Sequence, residues 1–208
     1  MKGSLIIVGF FVLGCLLGWT KLLPSSLLEQ NFTVYVLYFL MFQVGLSIGS
    51  DKKLKEILSS IRPHLLLVPM ATIVGTLIAS ALVSLLISRW SMYDCLAVGS
   101  GFAYYSLSSI LITELKEASL GVQVAAELGT IALMANIFRE IIALLGAPLF
   151  VKYFGRLAPI CAGGATTMDT TLPVITRYCG KDMVFISIFH GILVDLSVPF
   201  FVPFFCSL

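Results

Sequence analysis

From Gly3 to Trp19 the chain holds no ionisable side chain, and only Lys21 intervenes before Pro24. A run of that length approaches the ~20 apolar residues that an α-helix needs to cross a bilayer. Comparable runs recur to the C-terminus. Of 208 residues 59% are hydrophobic and 12% charged, about half the charged share of an average soluble domain. In hydrocarbon the backbone must satisfy its own N–H and C=O groups. The expectation is therefore an all-α polytopic membrane protein, inserted in a lipid bilayer. Lys2 before the first run has the flavour of a signal peptide, but no small-x-small cleavage site precedes "TKLLPSS", so the segment reads as a retained helix.

Three spanning helices follow in order, at about 3–23, 32–49 and 64–87. Pro63 suits the opening turn of the third, where its missing N–H would be unpaired anyway. The loop "SDKKLKEILSSIR" carries Lys52, Lys53, Lys55 and Arg62 and by the positive-inside rule belongs in the cytoplasm. After residue 90 the pattern changes. "VGSGFAYYSLSSILIT" is rich in Gly, Ser and Tyr, and a helix at about 125–153 follows with charges in its middle. Then comes "CAGGATTMDTTLP", a poor recipe for a membrane helix, and a last apolar helix at about 183–205 holding His190 and Asp195.

These four pieces read as one pair used twice. Laid without gaps on 162–176, residues 99–113 bring Gly101 onto Gly164, Ser106 onto Asp169, Ser108 onto Thr171 and Thr113 onto Thr176. After a twelve-residue shortening "ALLGAPLFV" falls on "VDLSVPFFV", with Pro148 on Pro199. Interrupted segments in matching positions of two halves mark binding sites in secondary transporters. If both interrupted segments crossed, Lys152 and Arg156 would lie outside; if both dip in and return, these two move inside and only Lys116 moves out. The second arrangement fits the charge rule better. It gives five spanning helices and two re-entrant or broken Gly/Ser/Thr-rich segments, N-terminus cytoplasmic, with seven full crossings as the alternative. On this scheme residues 1–208 form a single transmembrane transporter domain. Residues 1–90 supply three helices, and 91–157 and 158–208 are repeat units inverted relative to each other.

Ionisable groups at membrane depth are costly and usually functional. Glu140 lies mid-helix with Asn136 one turn earlier and Arg139 beside it. A desolvated carboxylate favours its proton until a cation arrives, so such a group can exchange one for the other; a structural role for Arg139 and Glu140, each paired to a neighbouring helix, is the rival. Asp169 sits where irregular backbone is tolerated only if it lines a watery cavity or is buried in protein. There the hydroxyls of Thr166, Thr167, Thr170 and Thr171 become ligands, Gly163 and Gly164 permit a tight turn, and Pro173 suits a resuming helix. Asp169 would equally serve to cap that helix. Tyr104, Tyr105, Ser106 and Ser108 offer hydroxyls in the first interrupted segment. Asp195 shares a small-residue face with Gly191 and Pro199. His190 is either a buried histidine satisfied by a carbonyl or a proton relay, and Glu127 lies near a membrane boundary. The five cysteines are scattered without CxxC spacing, so neither a disulfide framework nor a metal site is expected, and no cofactor is implied. A net charge of +2 gives no sign of nucleic acid.

At "SGFAYYSLSSILITE", "ANIFREIIALLGAP" and "GGATTMDTTLPVI", with His190–Gly191 beyond, the chain resembles the lysine exporter family over nearly its whole length. The resemblance implies export of L-lysine across the bacterial inner membrane, with protons exchanged inward. By residue match Arg139 and Glu140 take the place of the family's intramembrane R-E pair, and Asp169 that of its M-D-x-T-L-P acid. Family members usually carry a further N-terminal block of spanning helices. The resemblance therefore also implies a partner, either a separate small membrane protein supplying that block or a second copy of the chain. The rivals are a transporter of another cation or one coupled to Na⁺, an intramembrane protease, and a non-transporting scaffold. No G-x-G-D context, H-E-x-x-H or G-x-S-G motif supports the protease, and a scaffold has no need of acids in two interrupted segments.

Overall fold

The structure is a computed structural model that describes residues 63–208 and, before them, Leu13, Leu17, Thr20 and Phe42. The chain falls into two compact units, Met1–Ser47 and Ile48–Leu208, and the helices from Pro63 onward all belong to the second. The helices expected at about 3–23 and 32–49, the basic loop and the N-terminal orientation lie outside the described residues.

Every regular element from Pro63 onward is helical. A 3₁₀ turn, Pro63–Leu66, leads into α1, Leu67–Ser84. Leu67, Met70, Val74, Ile78 and Leu82 form an exposed stripe along α1, while Thr72 is buried. An apolar stripe facing outward with a polar group inward reverses the soluble pattern and is what a lipid surroundings selects.

The first interrupted segment is α2, Met92–Gly99, and α3, Tyr105–Leu120. Ser91 and Asp94 close a reciprocal capping box that fixes where α2 starts. Between the two arms the backbone turns at Phe102 and Ala103, both with positive φ, +44° and +75°. The Lys116 ammonium then pairs with the Asp94 carboxylate at 2.9 Å. In a continuous helix those residues would stand about 33 Å apart. The arms therefore fold back on each other as a hairpin.

α4 is the 33-residue helix Val122–Phe154, set between Gly121 and Gly155, whose φ values of +79° and +87° stop helix propagation at each end. At about 50 Å it exceeds the ~30 Å hydrocarbon core. The second interrupted segment is α5, Ala158–Gly163, a 3₁₀ stretch, Gly164–Met168, and α6, Leu172–Cys179. Pro159 and Pro173 sit in the first turns of α5 and α6. Here too the ends meet: Arg156 Nε donates to the Cys179 carbonyl at 2.5 Å, and its guanidinium pairs with Asp182. Ile160, Ile175 and Cys179 pack between the arms, with Val68 of α1 against them. A short 3₁₀ turn, Lys181–Met183, precedes α7, Val184–Cys206.

The first hairpin thus has its base at the start of α4 and the second at its end, so the two enter from opposite ends of that helix. Their tips meet, with the Ala165 N–H donating to the Phe102 carbonyl at 2.9 Å. Three described helices, Leu67–Ser84, Val122–Phe154 and Lys181–Cys206, are long and apolar enough to cross a membrane. They coincide with the three spans expected at 64–87, 125–153 and 183–205. The protein is an all-α, membrane-embedded chain.

Candidate functional site

The two tips meet in close backbone contact. Gly164 at the second tip has φ +62° and ψ −132°, a conformation that side chains with a Cβ avoid. A Cβ there would lie 2.2 Å from the Phe102 carbonyl oxygen. At Gly101 a Cβ would meet Asn136 Nδ2 at 2.3 Å and Ser108 Oγ at 2.7 Å. Phe102 and Ala165, joined by their backbone hydrogen bond, are also the residues that the ungapped alignment of 99–113 with 162–176 places opposite each other.

α4 holds both tips. Asn136 is 3% exposed; its Oδ1 accepts from the Ala103 N–H at 2.7 Å, and its Nδ2 donates to the Ala132 carbonyl at 2.8 Å and sits 3.4 Å from Ser108 Oγ. It satisfies the N–H that the left-handed turn at Ala103 takes out of the helix. One turn on, Arg139 Nε donates to the Ala162 carbonyl at 2.9 Å, Nη2 to the Cys161 carbonyl at 3.1 Å and Nη1 to Thr76 Oγ1 at 3.2 Å. A guanidinium on the last carbonyls of α5 opposes the negative end of that helix. Arg139 therefore pairs with backbone rather than with Glu140.

The threonines of the second tip divide in two. The Thr166 hydroxyl donates to the Gly163 carbonyl at 2.8 Å and that of Thr171 to the Thr166 carbonyl at 3.0 Å. Thr167 Oγ1 lies 2.8 Å from the Gly164 carbonyl and 3.0 Å from that of Ser187. All three are buried and hold the tip together. Thr170, by contrast, is exposed beside Asp169, also exposed, whose Oδ1 accepts from the Thr170 N–H at 2.5 Å. Asp169 does not cap α6: the N-cap position is Thr171, without a side-chain cap.

His190 is fully buried, with Nε2 2.8 Å from Thr72 Oγ1 and Nδ1 3.1 Å from Thr167 Oγ1. Besides these two hydroxyls the ring has a backbone hydrogen bond with Gly164, the carbonyl partner expected of a buried histidine. The shift that sets Pro148 on Pro199 also sets Arg139 on His190 and Asn136 on Ser187, so matching residues of α4 and α7 brace the two tips.

The acids stand apart from this bracing. Glu140 is half-buried and makes no hydrogen bond or ion pair among the described residues. The Tyr105 phenol lies within electrostatic reach of both Glu140 and Asp169. The Tyr104 phenol lies within reach of Asp195 and Asp169. Ser106 is exposed on the same turn. Asp195 is 4% exposed, near the middle of α7. Glu127 pairs with Arg89 at 2.5 Å in an exposed bridge. Apart from the buried Asp195, the expected site residues thus sort into a brace (Asn136, Arg139, Ser108, Gly164, Thr166, Thr167, Thr171, His190) and an open set with polar atoms available to a ligand (Glu140, Asp169, Thr170, Tyr105, Ser106). A cavity of about 780 Å³ adjoins the brace, between α1, α2 and α4, with Thr76, Ser80, Asn136, Arg139 and Ala162 in its wall.

Sequence reasoning missed Phe102, Ala103 and Thr76. Non-glycine residues with positive φ leave no compositional signal, and a threonine on an apolar helix gives no hint of an arginine partner. The Asp94–Lys116 pair had a signal, two opposite charges flanking one interrupted segment.

A family model described as "Lysine exporter LysO" matches residues 8–206. The chain is 34% identical over 207 residues to "Lysine exporter LysO" of Escherichia coli (strain K12), covering 98% of this chain and 64% of that protein. It is 31% identical over 200 residues to "Putative lysine exporter" of Haemophilus influenzae (strain Rd), covering 94% of each. No solved structure gives a significant match.

Proposed function

The chain belongs to the lysine exporter family, and from that premise we propose that it carries L-lysine, or a related cationic amino acid, out across the bacterial inner membrane in exchange for protons. Residues 1–208 act as one transporter domain, in which 91–157 and 158–208 are inverted repeat units. Each hairpin re-enters the bilayer, the second from the cytoplasmic side, where Lys152, Arg156, Arg177 and Lys181 cluster. The tips meet near the membrane midplane, and their irregular backbone is tolerated because it borders a watery route.

One observation carries this reading: Glu140 and Asp169, from α4 and the second tip, both lie within electrostatic reach of the phenol of Tyr105 at the first tip. Two carboxylates there, with the hydroxyls of Tyr105, Ser106 and Thr170, suit the ammonium groups of a cationic amino acid. Asn136, Arg139 and the buried threonines hold the tips in place. Moving one positive charge outward against an inside-negative potential costs about 2.3 kcal/mol per 100 mV. One-for-one exchange with an inward proton cancels that electrical cost and leaves the pH gradient as the drive. A proton and the ammonium are held in alternation, never together, and that alternation enforces the swap. A separate small membrane protein, or a second copy of the chain, is the further partner of this reading.

The test is lysine efflux from vesicles with an imposed pH gradient. E140Q keeps the shape of the side chain and removes its charge; it is expected to insert normally and to lose proton-driven efflux. Wild-type efflux from E140Q would remove Glu140 from the mechanism.

A further inference from the structure

Asp195 occupies an unusual place on α7. Four residues before it Gly191 presses on the second tip, where a Cβ would lie 2.7 Å from the Met168 N. Six residues after it Phe201 stacks edge-on against Phe102 of the first tip, ring centroids 6.3 Å apart. Asp195 therefore sits between the contacts that α7 makes with both tips, and it is 4% exposed.

A carboxylate so enclosed needs a cation or donors to offset the loss of water. Among the described residues Asp195 has neither hydrogen bond nor ion pair. The charged and titratable groups within electrostatic reach of it are Asp169 from the second hairpin and the Tyr104 phenol from the first. The nearby cations are engaged elsewhere. Arg139 is turned to the carbonyls of Cys161 and Ala162, and Lys116 is held by Asp94 at the far end of α7, beside Cys206. His190, on the same helix, is taken by Thr72 and Thr167.

We propose that Asp195 is the seat of the exchanged proton, distinct from the carboxylates that take the ammonium, and that Asp169 couples the two. The proposal rests on the exchange reading and locates the proton within it. With Asp169 bare, two neighbouring carboxylates oppose each other's charge, and Asp195 carries the proton. An ammonium arriving at Asp169 cancels that opposition, and Asp195 releases its proton to the aqueous side. Neither event requires the two cations to share an atom, so the swap is enforced through space. The same logic gives Asp195 its enclosure: a carboxylate that is 4% exposed admits a proton where an amino acid does not fit.

The experiment adds L-lysine to the purified full chain in weakly buffered detergent and follows a pH indicator alongside lysine binding. Wild type is expected to release a proton for each lysine bound, whereas D195N binds lysine and releases none. In vesicles D195N is expected to exchange lysine for lysine but to lose accumulation driven by a pH gradient, whereas E140Q loses both. Infrared difference spectra of the wild type give a check that needs no variant: the carbonyl band of a protonated carboxylic acid disappears when lysine is added. Proton release by D195N equal to wild type, or a wild-type spectrum with no lysine-sensitive carboxylic acid band, overturns the proposal. Absence of any lysine binding by the wild type overturns the exchange reading itself.

Discussion

Gly164→Ala removes nothing and adds one methyl group, yet it should be among the most damaging single changes in the described part of the chain. The residue is held at φ +62° and ψ −132°, a region that costs a residue bearing a Cβ about 1–3 kcal/mol. The new Cβ would stand 2.2 Å from the Phe102 carbonyl oxygen. That oxygen belongs to backbone, so relief means moving the first tip bodily and losing the 2.9 Å bond from the Ala165 N–H. Both residues are buried, Phe102 at 0% and Ala165 at 4% exposure, so the separated groups find no water, a further cost of about 1–3 kcal/mol. Together these give a destabilisation of about 2–6 kcal/mol. For a chain of this length that corresponds to a fall in melting temperature of roughly 4–24 °C. Thermal unfolding in detergent, read by size-exclusion chromatography of heated samples, measures it. Gly75→Ala is the control: a Cβ there has nothing within 4 Å, and the change should be neutral or stabilise α1 by up to about 1 kcal/mol. A G164A protein that melts with the wild type and transports normally would refute the crossing of the tips.

Asn136→Ala strands the buried Ala103 N–H and should cost about 1–3 kcal/mol, again visible as a lower melting temperature. Lys116→Met leaves Asp94 charged and unpaired in a site where both side chains are under 10% exposed; a loss of about 3–5 kcal/mol is expected, with K116M/D94N recovering most of it. Breaking the exposed Arg89–Glu127 pair should change stability by less than about 1 kcal/mol. Single cysteines at Arg89 and at Lys152 should react with an impermeant thiol reagent from opposite sides of the membrane.

Helices that meet lipid were readable from the sequence because the requirement on them is simple: enough apolar residues in a row. The helix expected at about 125–153 is Val122–Phe154, and the last, at about 183–205, is Val184–Cys206. The second tip was readable as well, since "GGATTMD" declares both a glycine turn and hydroxyls. The first tip was not, because its turn falls on Phe102 and Ala103 and depends on Asn136, 33 residues later, to satisfy a displaced N–H. For the same reason the threonines looked alike in the sequence. Only the folded tip separates Thr167, locked between two carbonyls and His190, from Thr170, which is exposed. Arg139 and Glu140 are neighbours in sequence with different surroundings, one bonded to the end of α5 and the other within electrostatic reach of Tyr105.

The account turns on whether the polar face around Asp169 is reached by water and by cargo. Thr170→Cys, in a chain whose five native cysteines are replaced by alanine or serine, places a thiol beside the carboxylate without removing it. A small thiosulfonate bearing an ammonium group should modify that thiol in membranes, and L-lysine should slow the reaction where an uncharged amino acid does not. A thiol at 170 that stays inert to the reagent, or reacts at a rate indifferent to lysine, would contradict the account.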